Sequence, residues 1–280
     1  MLALLDPDDE VILLTPFYFN HEMAITLANA KAVLTPTLDN FHPDLDAIKN
    51  NITARTKAIV TVSPNNPSAA VYSQEELTEI NQLCEQHGLY HISDEAYEDF
   101  VFEDTEHFSA ASLNNSAAHT ISLYSFSKAY GFAGWRVGYM LVPAELADTL
   151  RKVQDTVLIS PPIVSQLAAL GALQADTHYL QTHLNEIKNS RALCLQALND
   201  SGVLRQRVQS EGAFYIFARI QSRLSDLETA HHLIRENGVA TIPGSAFATE
   251  GYLRISYGAL TSDNVDIGMQ RLIKGLQQLA

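Results

Sequence analysis

From Glu10 onward the chain alternates short apolar runs with amphipathic stretches. Glu10 to Leu14 and Ala32 to Thr35 read as strands, and the stretch from about His21 to Ala30 between them reads as a helix. Leu45 to Asn50 predicts a short helix, and Lys57 to Val62 (Lys-Ala-Ile-Val-Thr-Val) a buried strand. Ser73 with Glu76 three residues later is a capping-box signature, so a helix should open there and run to His87, where Gly88 ends it. Leu89 to Ser93, Ile121 to Ser125 and Val137 to Val142 are the next strands, with an Asn-rich loop around Leu113 to Ala118. Alternation at this spacing predicts an α/β fold: a mostly parallel open sheet with helices on both faces, and ligands bound beyond the strand ends.

Beyond Val164 the pattern changes. A long helical stretch runs to about Asn199, bent near Asp176-Thr177-His178. Shorter elements follow: strands at Ala213 to Ile220, Val239 to Ile242 and Tyr252 to Tyr257, a helix from Ser225 to Asn237, and a final helix capped by Ser262. This pattern predicts a smaller α+β domain, with residues 1–178 as the large domain and 179–280 as the small one. At the start, Met1 to Pro7 reads as the last turn or two of a helix stopped by the proline.

Composition narrows the function classes. With 280 residues, 46% of them hydrophobic, the chain can bury a sizeable core. A net charge of -14 argues against a nucleic-acid or anionic-membrane surface, while leaving room for a local basic pocket. Cys84 and Cys194 are too few for a disulfide framework, so a reducing cytoplasm is expected. No apolar run approaches the roughly 20 residues of a membrane span. The histidines show no zinc spacing, so no metal is expected, and the Gly-x-Ser-x-Gly elbow of a serine hydrolase is absent.

The most specific stretch runs from Ser125 to Gly138: Ser-Phe-Ser-Lys-Ala-Tyr-Gly-Phe-Ala-Gly-Trp-Arg-Val-Gly. An apolar strand leads into Lys128, and glycines cluster around Arg136 eight residues on. An amine nucleophile near a planar anion-binding fork suits an aldehyde cofactor that carries a phosphate. Five other stretches sit where predicted strands end or continue. Ser63-Pro64-Asn65-Asn66-Pro67-Ser68 is by itself a polar turn, and Asp94 in Ser93-Asp94-Glu95-Ala96-Tyr97 is by itself an ordinary helix cap. The aromatics of Thr15-Pro16-Phe17-Tyr18-Phe19-Asn20 suit a core, and Phe17 and Phe19 are assigned there. Arg254 in Leu253-Arg254-Ile255-Ser256-Tyr257-Gly258 suits a strand edge, and Phe214 and Tyr215 in Glu211-Gly212-Ala213-Phe214-Tyr215 suit core packing equally well.

Taken together and in order, these motifs resemble the class I/II aminotransferases, the fold-type I pyridoxal-phosphate-dependent family. The resemblance implies pyridoxal 5'-phosphate as cofactor and Lys128 as the Schiff-base lysine that also moves the proton. Ser125 and Arg136 would hold the phosphate, Asp94 would partner the pyridinium nitrogen, and Asn66 and Tyr97 would donate to the phenolic oxygen. Tyr18 would stack on the pyridine face. Arg254 would clamp the substrate carboxylate, with Asn66 beside it, and the stretch Glu211 to Tyr215 resembles the small-domain strand that lies near the substrate. Ala69 stands where the family usually has glycine, so the turn there must differ slightly or accept a side chain.

The implied activity is transfer of an amino group from an L-amino acid to a 2-oxo acid, of aspartate, aromatic or alanine type, by a cytoplasmic homodimer. A pyridoxal-phosphate-dependent β-lyase and an inactive, truncated remnant are the alternatives. Family members extend further at the N-terminal side, where a Gly-rich turn and a helix end hold the phosphate. A chain without them is expected to bind the cofactor more weakly and to leave the strand Val137 to Val142 without a neighbour.

Overall fold

The computed structural model describes residues 1–102, 105–175, 178–258 and 261–280. In chain order the elements are β1 (Glu10–Thr15), α1 (Phe19–Leu27), β2 (Lys31–Pro36), α2 (Leu45–Asn51), β3 (Thr56–Val62), α3 (Gln74–His87) and β4 (Tyr90–Asp94). There follow β5 (Thr120–Ser125), β6 (Gly138–Leu141), α4 (Ala147–Val157), α5 (Ile163–Gln174) and α6 (His178–Asp200). The chain ends with β7 (Tyr215–Arg219), α7 (Asp226–Asn237), β8 (Ile242–Pro243), β9 (Tyr252–Ser256) and α8 (Ser262–Gln277).

A six-stranded sheet has the order β2-β1-β3-β4-β5-β6. Its strands are parallel except β6, which runs antiparallel to β5. Alternate residues face opposite ways, as strand geometry requires. Val11, Leu13, Val60, Ile92 and Ile121 pack with Ile25 of α1 on one face. Ile12, Leu14 and Ile59 pack with Leu77, Ile80 and Leu83 of α3 on the other. Helices on both faces explain why these strands read as nearly continuous apolar runs. A second, antiparallel sheet of order β7-β9-β8 packs with α6, α7 and α8 around Leu198, Ile216, Leu233, Leu253 and Leu272. That core reaches Tyr97, Phe100 and Ala129 of the preceding half, which brings the two sheets together near the end of β4.

Register decides where the chemistry lies. Val62 pairs with Asp94, and Asp94 with Leu123, so the parallel strands end side by side. Ser125 pairs with Gly138, so Arg136, just before antiparallel β6, comes to the same edge. A side chain at Gly138 would put its Cβ 2.6 Å from the Tyr124 carbonyl, which explains the glycine.

The capping signals hold at both helices that carry them. Ser73 and Glu76 form a reciprocal capping box at α3, and Gly88 closes that helix in the left-handed region at φ 64°. Ser225, Glu228 and Gly238 do the same for α7.

Several local expectations need correction. The opening residues form a turn, with the Leu4 and Leu5 amides both on the Met1 carbonyl, rather than helix. The strand at Val239 to Ile242 shrinks to Ile242–Pro243, because the chain leaves α7 through a left-handed glycine and Pro243 has no N–H to extend the ladder. Ser262 lies inside α8; Thr261 is its N-cap and makes no side-chain capping bond, so the charge of Asp263 in the first turn is what suits that helix end. The bend expected at Asp176-Thr177-His178 falls partly on residues 176–177, outside the described residues, between α5 and α6. No helix among the described residues is long and apolar enough to cross a membrane.

Candidate active site

The carboxyl ends of β3, β4 and β5 open onto a cavity of about 350 Å3. Tyr18, Asn66, Asp94, Tyr97, Ser125, Lys128 and Arg136 all line it. Arg254, on β9 of the second sheet, reaches the same place through Asn66: its Nη1 donates to the Asn66 Oδ1 at 2.7 Å. That bond fixes the amide orientation and leaves the Asn66 nitrogen as a donor.

Asp94 is held from two sides. His21 Nε2 meets its Oδ2 at 2.8 Å, and the Ala96 amide donates to Oδ1 at 3.2 Å. Tyr18 stands edge-on to the His21 ring with centroids 5.8 Å apart, and its hydroxyl accepts from the Asn20 amide at 2.8 Å. His21 is a site residue that the sequence patterns missed. Its only signal was its place on the first turn of α1, three residues after Tyr18.

The Tyr97 and Tyr215 hydroxyls share a hydrogen bond of 2.7 Å. Burial, with the neighbouring Tyr215, pushes the Tyr97 phenol far above its ordinary value, so both rings are neutral hydrogen-bonding groups. Tyr215, for which core packing was an equal reading, thus brings a polar end to the site. Phe17 is buried in the core, and Phe19 is partly buried there and also packs 5.8 Å from Phe247.

Lys128 follows β5 in a turn that continues through Gly131 at φ 64°. Its amine lies 5.4 Å from the Tyr97 ring centre and 5.9 Å from that of Phe214. Burial lowers its pKa, and the positive charges of Arg254 and Arg136 push it the same way. Arg136, itself at φ 53°, anchors its guanidinium on the Ala133 carbonyl at 2.7 Å. The Ser125 hydroxyl accepts from the Ser127 amide at 3.1 Å.

Charge balance shows what the cavity suits. The charges of Arg254, Arg136 and Asp94 all act on Lys128, and Asp94 is the one acidic side chain among the described lining residues. The Arg254 guanidinium lies 4.4 Å over the Tyr215 ring and 5.2 Å over Phe247, while its buried Nε has no hydrogen-bond partner among the described residues. A partly buried guanidinium with a buried, unused donor calls for an anion. The donor set therefore fits a phosphate-bearing cofactor together with a carboxylate substrate.

The turn at Ser63 to Ser68 is rigidly tied. Asn65 takes the Ser68 amide and hydroxyl on its Oδ1 at 3.0 and 2.8 Å, and the Asn65 amide donates to the Ala70 carbonyl at 2.8 Å. Ala69 occupies the left-handed region at φ 66°, so the turn does accept a methyl group where glycine would be unstrained. Elsewhere, Glu95, Glu98 and His107 bring potential metal-ligand atoms within 4.8 Å of one another, a cluster with no signal in the sequence spacing.

Comparison with known proteins adds the following. The family model for aminotransferase class I and II matches residues 1–272. An aspartate aminotransferase of Pyrococcus abyssi is 35% identical over 99% of this chain and 72% of its own length. An aromatic-amino-acid aminotransferase of Thermococcus litoralis is 33% identical with the same coverages, 99% and 72%. The crystal structure of an aromatic aminotransferase from Pyrococcus horikoshii superposes with a TM-score of 0.93 at 33% identity, covering 99% of this chain and 75% of that one.

Proposed function

The chain belongs to the class I and II aminotransferase family, and on that premise we propose that it is a pyridoxal-phosphate-dependent transaminase acting on aspartate, aromatic or alanine-type L-amino acids and a 2-oxo acid. The observation that carries the reading is the convergence of Lys128, the His21–Asp94 pair and the Arg254–Asn66 pair on one cavity. Bound there, the cofactor supplies an aldehyde to take up the amino group and a ring that absorbs negative charge from the substrate α-carbon.

The protein groups then divide the work. Arg136 and Ser125 would hold the phosphate. Asp94, oriented by His21, would hold a proton on the ring nitrogen. Asn66 and Tyr97 would donate to the phenolic oxygen, and Tyr18 would stack on the ring. Arg254 takes the substrate α-carboxylate in a two-bond fork, using the Nε that lacks a partner among the described residues. Lys128, with its pKa lowered, is the amine that would take up the aldehyde and carry the α-proton. On the same reading the enzyme works as a cytoplasmic homodimer, with residues 1–178 as cofactor domain and 179–280 as small domain.

The test is direct. Protein loaded with pyridoxal phosphate should transfer the amino group of aspartate, phenylalanine or alanine to 2-oxoglutarate. Lys128→Ala should lose about 10²–10⁴-fold or more, the usual contribution of a positioned acid–base group. Pyruvate release from cystathionine without any oxo-acid acceptor would instead identify a β-lyase.

A further inference from the structure

His42, in the loop between β2 and α2, lies outside the cavity and has no part in the chemistry described so far. Its Nδ1 faces the Glu76 carboxylate at 2.9 Å, and its Nε2 faces the Glu211 carboxylate at 3.2 Å. Both carboxylates are already acceptors: Glu76 Oε2 takes the Ser73 amide at 2.7 Å, and Glu211 Oε2 takes the Val71 amide at 2.8 Å. A neutral imidazole has one N–H, so hydrogen bonds to both acids require the doubly protonated ring.

What the ring joins gives it a role. Glu211 precedes β7, and its own amide and that of Gly212 both donate to the Ala69 carbonyl, at 3.1 and 2.9 Å. A Cβ on Gly212 would lie 2.7 Å from a Val71 methyl and 2.8 Å from Pro64, so this crossing has no slack. The loop on one side of the crossing carries Asn66. The strand on the other, β7, pairs with β9 and sets Phe217 opposite Arg254.

We propose that His42 is a positioning residue: held as an imidazolium between Glu76 and Glu211, it fixes the start of β7 against the Asn66 loop and so sets the Asn66–Arg254 pair that receives the substrate carboxylate. The role of that pair rests on the transaminase reading. The charged groups that face His42 are Glu76 from α3 and Glu211 from the segment before β7; the Tyr72 ring, 6.0 Å away, is kept neutral by burial. The Glu211 hydrogen bond, then that of Glu76, raises the His42 pKa to about 10 against the opposing effect of its burial. The raised value sits above the ordinary 6.5, so the stabilisation is complete below about 6.5 and is lost as pH rises through about 10.

The experiment uses the cofactor-loaded protein. With 15N-labelled histidine and His42→Gln for assignment, the His42 ring should remain doubly protonated at pH 8; a ring that titrates near 6.5 overturns the proposal. His42→Gln and Glu211→Gln should each raise KM for the amino donor about tenfold and change kcat less than threefold, because the loss falls on binding. The double variant should be no worse than either single one, and His42→Lys, which restores a cation, should recover part of the loss. Additive effects, or an unchanged KM, overturn it. Should His42→Gln fail to fold, Glu211→Gln keeps the side-chain volume and carries the same comparison. A wild-type chain with the protonated ring but no transamination overturns the functional reading instead, and with it the positioning role.

Discussion

Asp94 owes its position to contacts from different distances along the chain. The Ala96 amide is local, but His21 comes from 73 residues away. On the transaminase reading, a carboxylate fixed from two sides is what would hold a proton on the cofactor's ring nitrogen. His21→Ala would leave that acid with one fixed bond. Activity should fall about 10-fold or more at pH 8 while the fold persists, because the lost hydrogen bond to a charged group contributes roughly 1.5–3 kcal/mol. Steady-state kinetics alongside circular dichroism check both halves of that statement. Lys128 carries a second residue-scale prediction. Its pKa is lowered by burial and then by Arg254 and Arg136. Arg254→Met removes one of these positive charges, so the pH midpoint for reaction of Lys128 with an aldehyde reagent should move upward. An unmoved midpoint would mean that burial alone sets the value. Lys128, Arg136, Asp94, Asn66 and Arg254 were legible in the sequence because each sits in a short motif at a strand end or within a strand. His21 was not, because its importance is a contact across the fold that no local spacing encodes, and Tyr215 was legible only as one of two equal readings.

At the scale of elements, the most legible features were those written in local chemistry. The capping boxes at Ser73 and Ser225 bracket α3 and α7 because serine, glutamate and glycine satisfy helix ends wherever the helix sits. The central strands were legible from apolar runs bounded by turn residues. Helix α4 was missed although Leu146, Leu150 and Val153 recur at helical spacing, since polar residues outnumber them and the helix buries none of its residues. Strand β8 was overread because propensity at Val239 to Ile242 says nothing of the space beside β9. The same distinction ranks substitutions in α3. Ile80 is fully buried between helix and sheet, so Ile80→Ala should destabilise by about 2–5 kcal/mol. Ser73→Ala removes a capping bond at the solvent and should cost about 0.5–2 kcal/mol. Urea unfolding orders the two, and the reverse order would mean that the clasp through Glu76 and His42 contributes more than the core beneath it.

For the whole molecule, the six-stranded sheet has unequal edges. It ends at β6, whose four residues are all exposed, among them Tyr139, Met140 and Leu141. Further apolar side chains stand in water on the following elements: Leu158 and Ile159 after α4, then Ile163, Leu167 and Leu170 on α5, with Ile159 75% and Ile163 69% exposed. An open strand edge beside so much apolar surface favours pairing with another copy. The net charge of -14 opposes this, but repulsion is screened beyond about 8 Å at physiological salt. Covering one Leu or Ile side chain contributes about 1.5–3 kcal/mol, so a few such contacts outweigh the screened repulsion. This chain on its own should therefore self-associate, and more strongly as salt is raised, because salt weakens the charge repulsion that opposes it. Sedimentation velocity at low and high salt reads that trend, and Met140→Lys combined with Leu167→Glu should reverse it. A monomer that stays monomeric at high salt would show that the apolar face is too irregular for a second copy to cover.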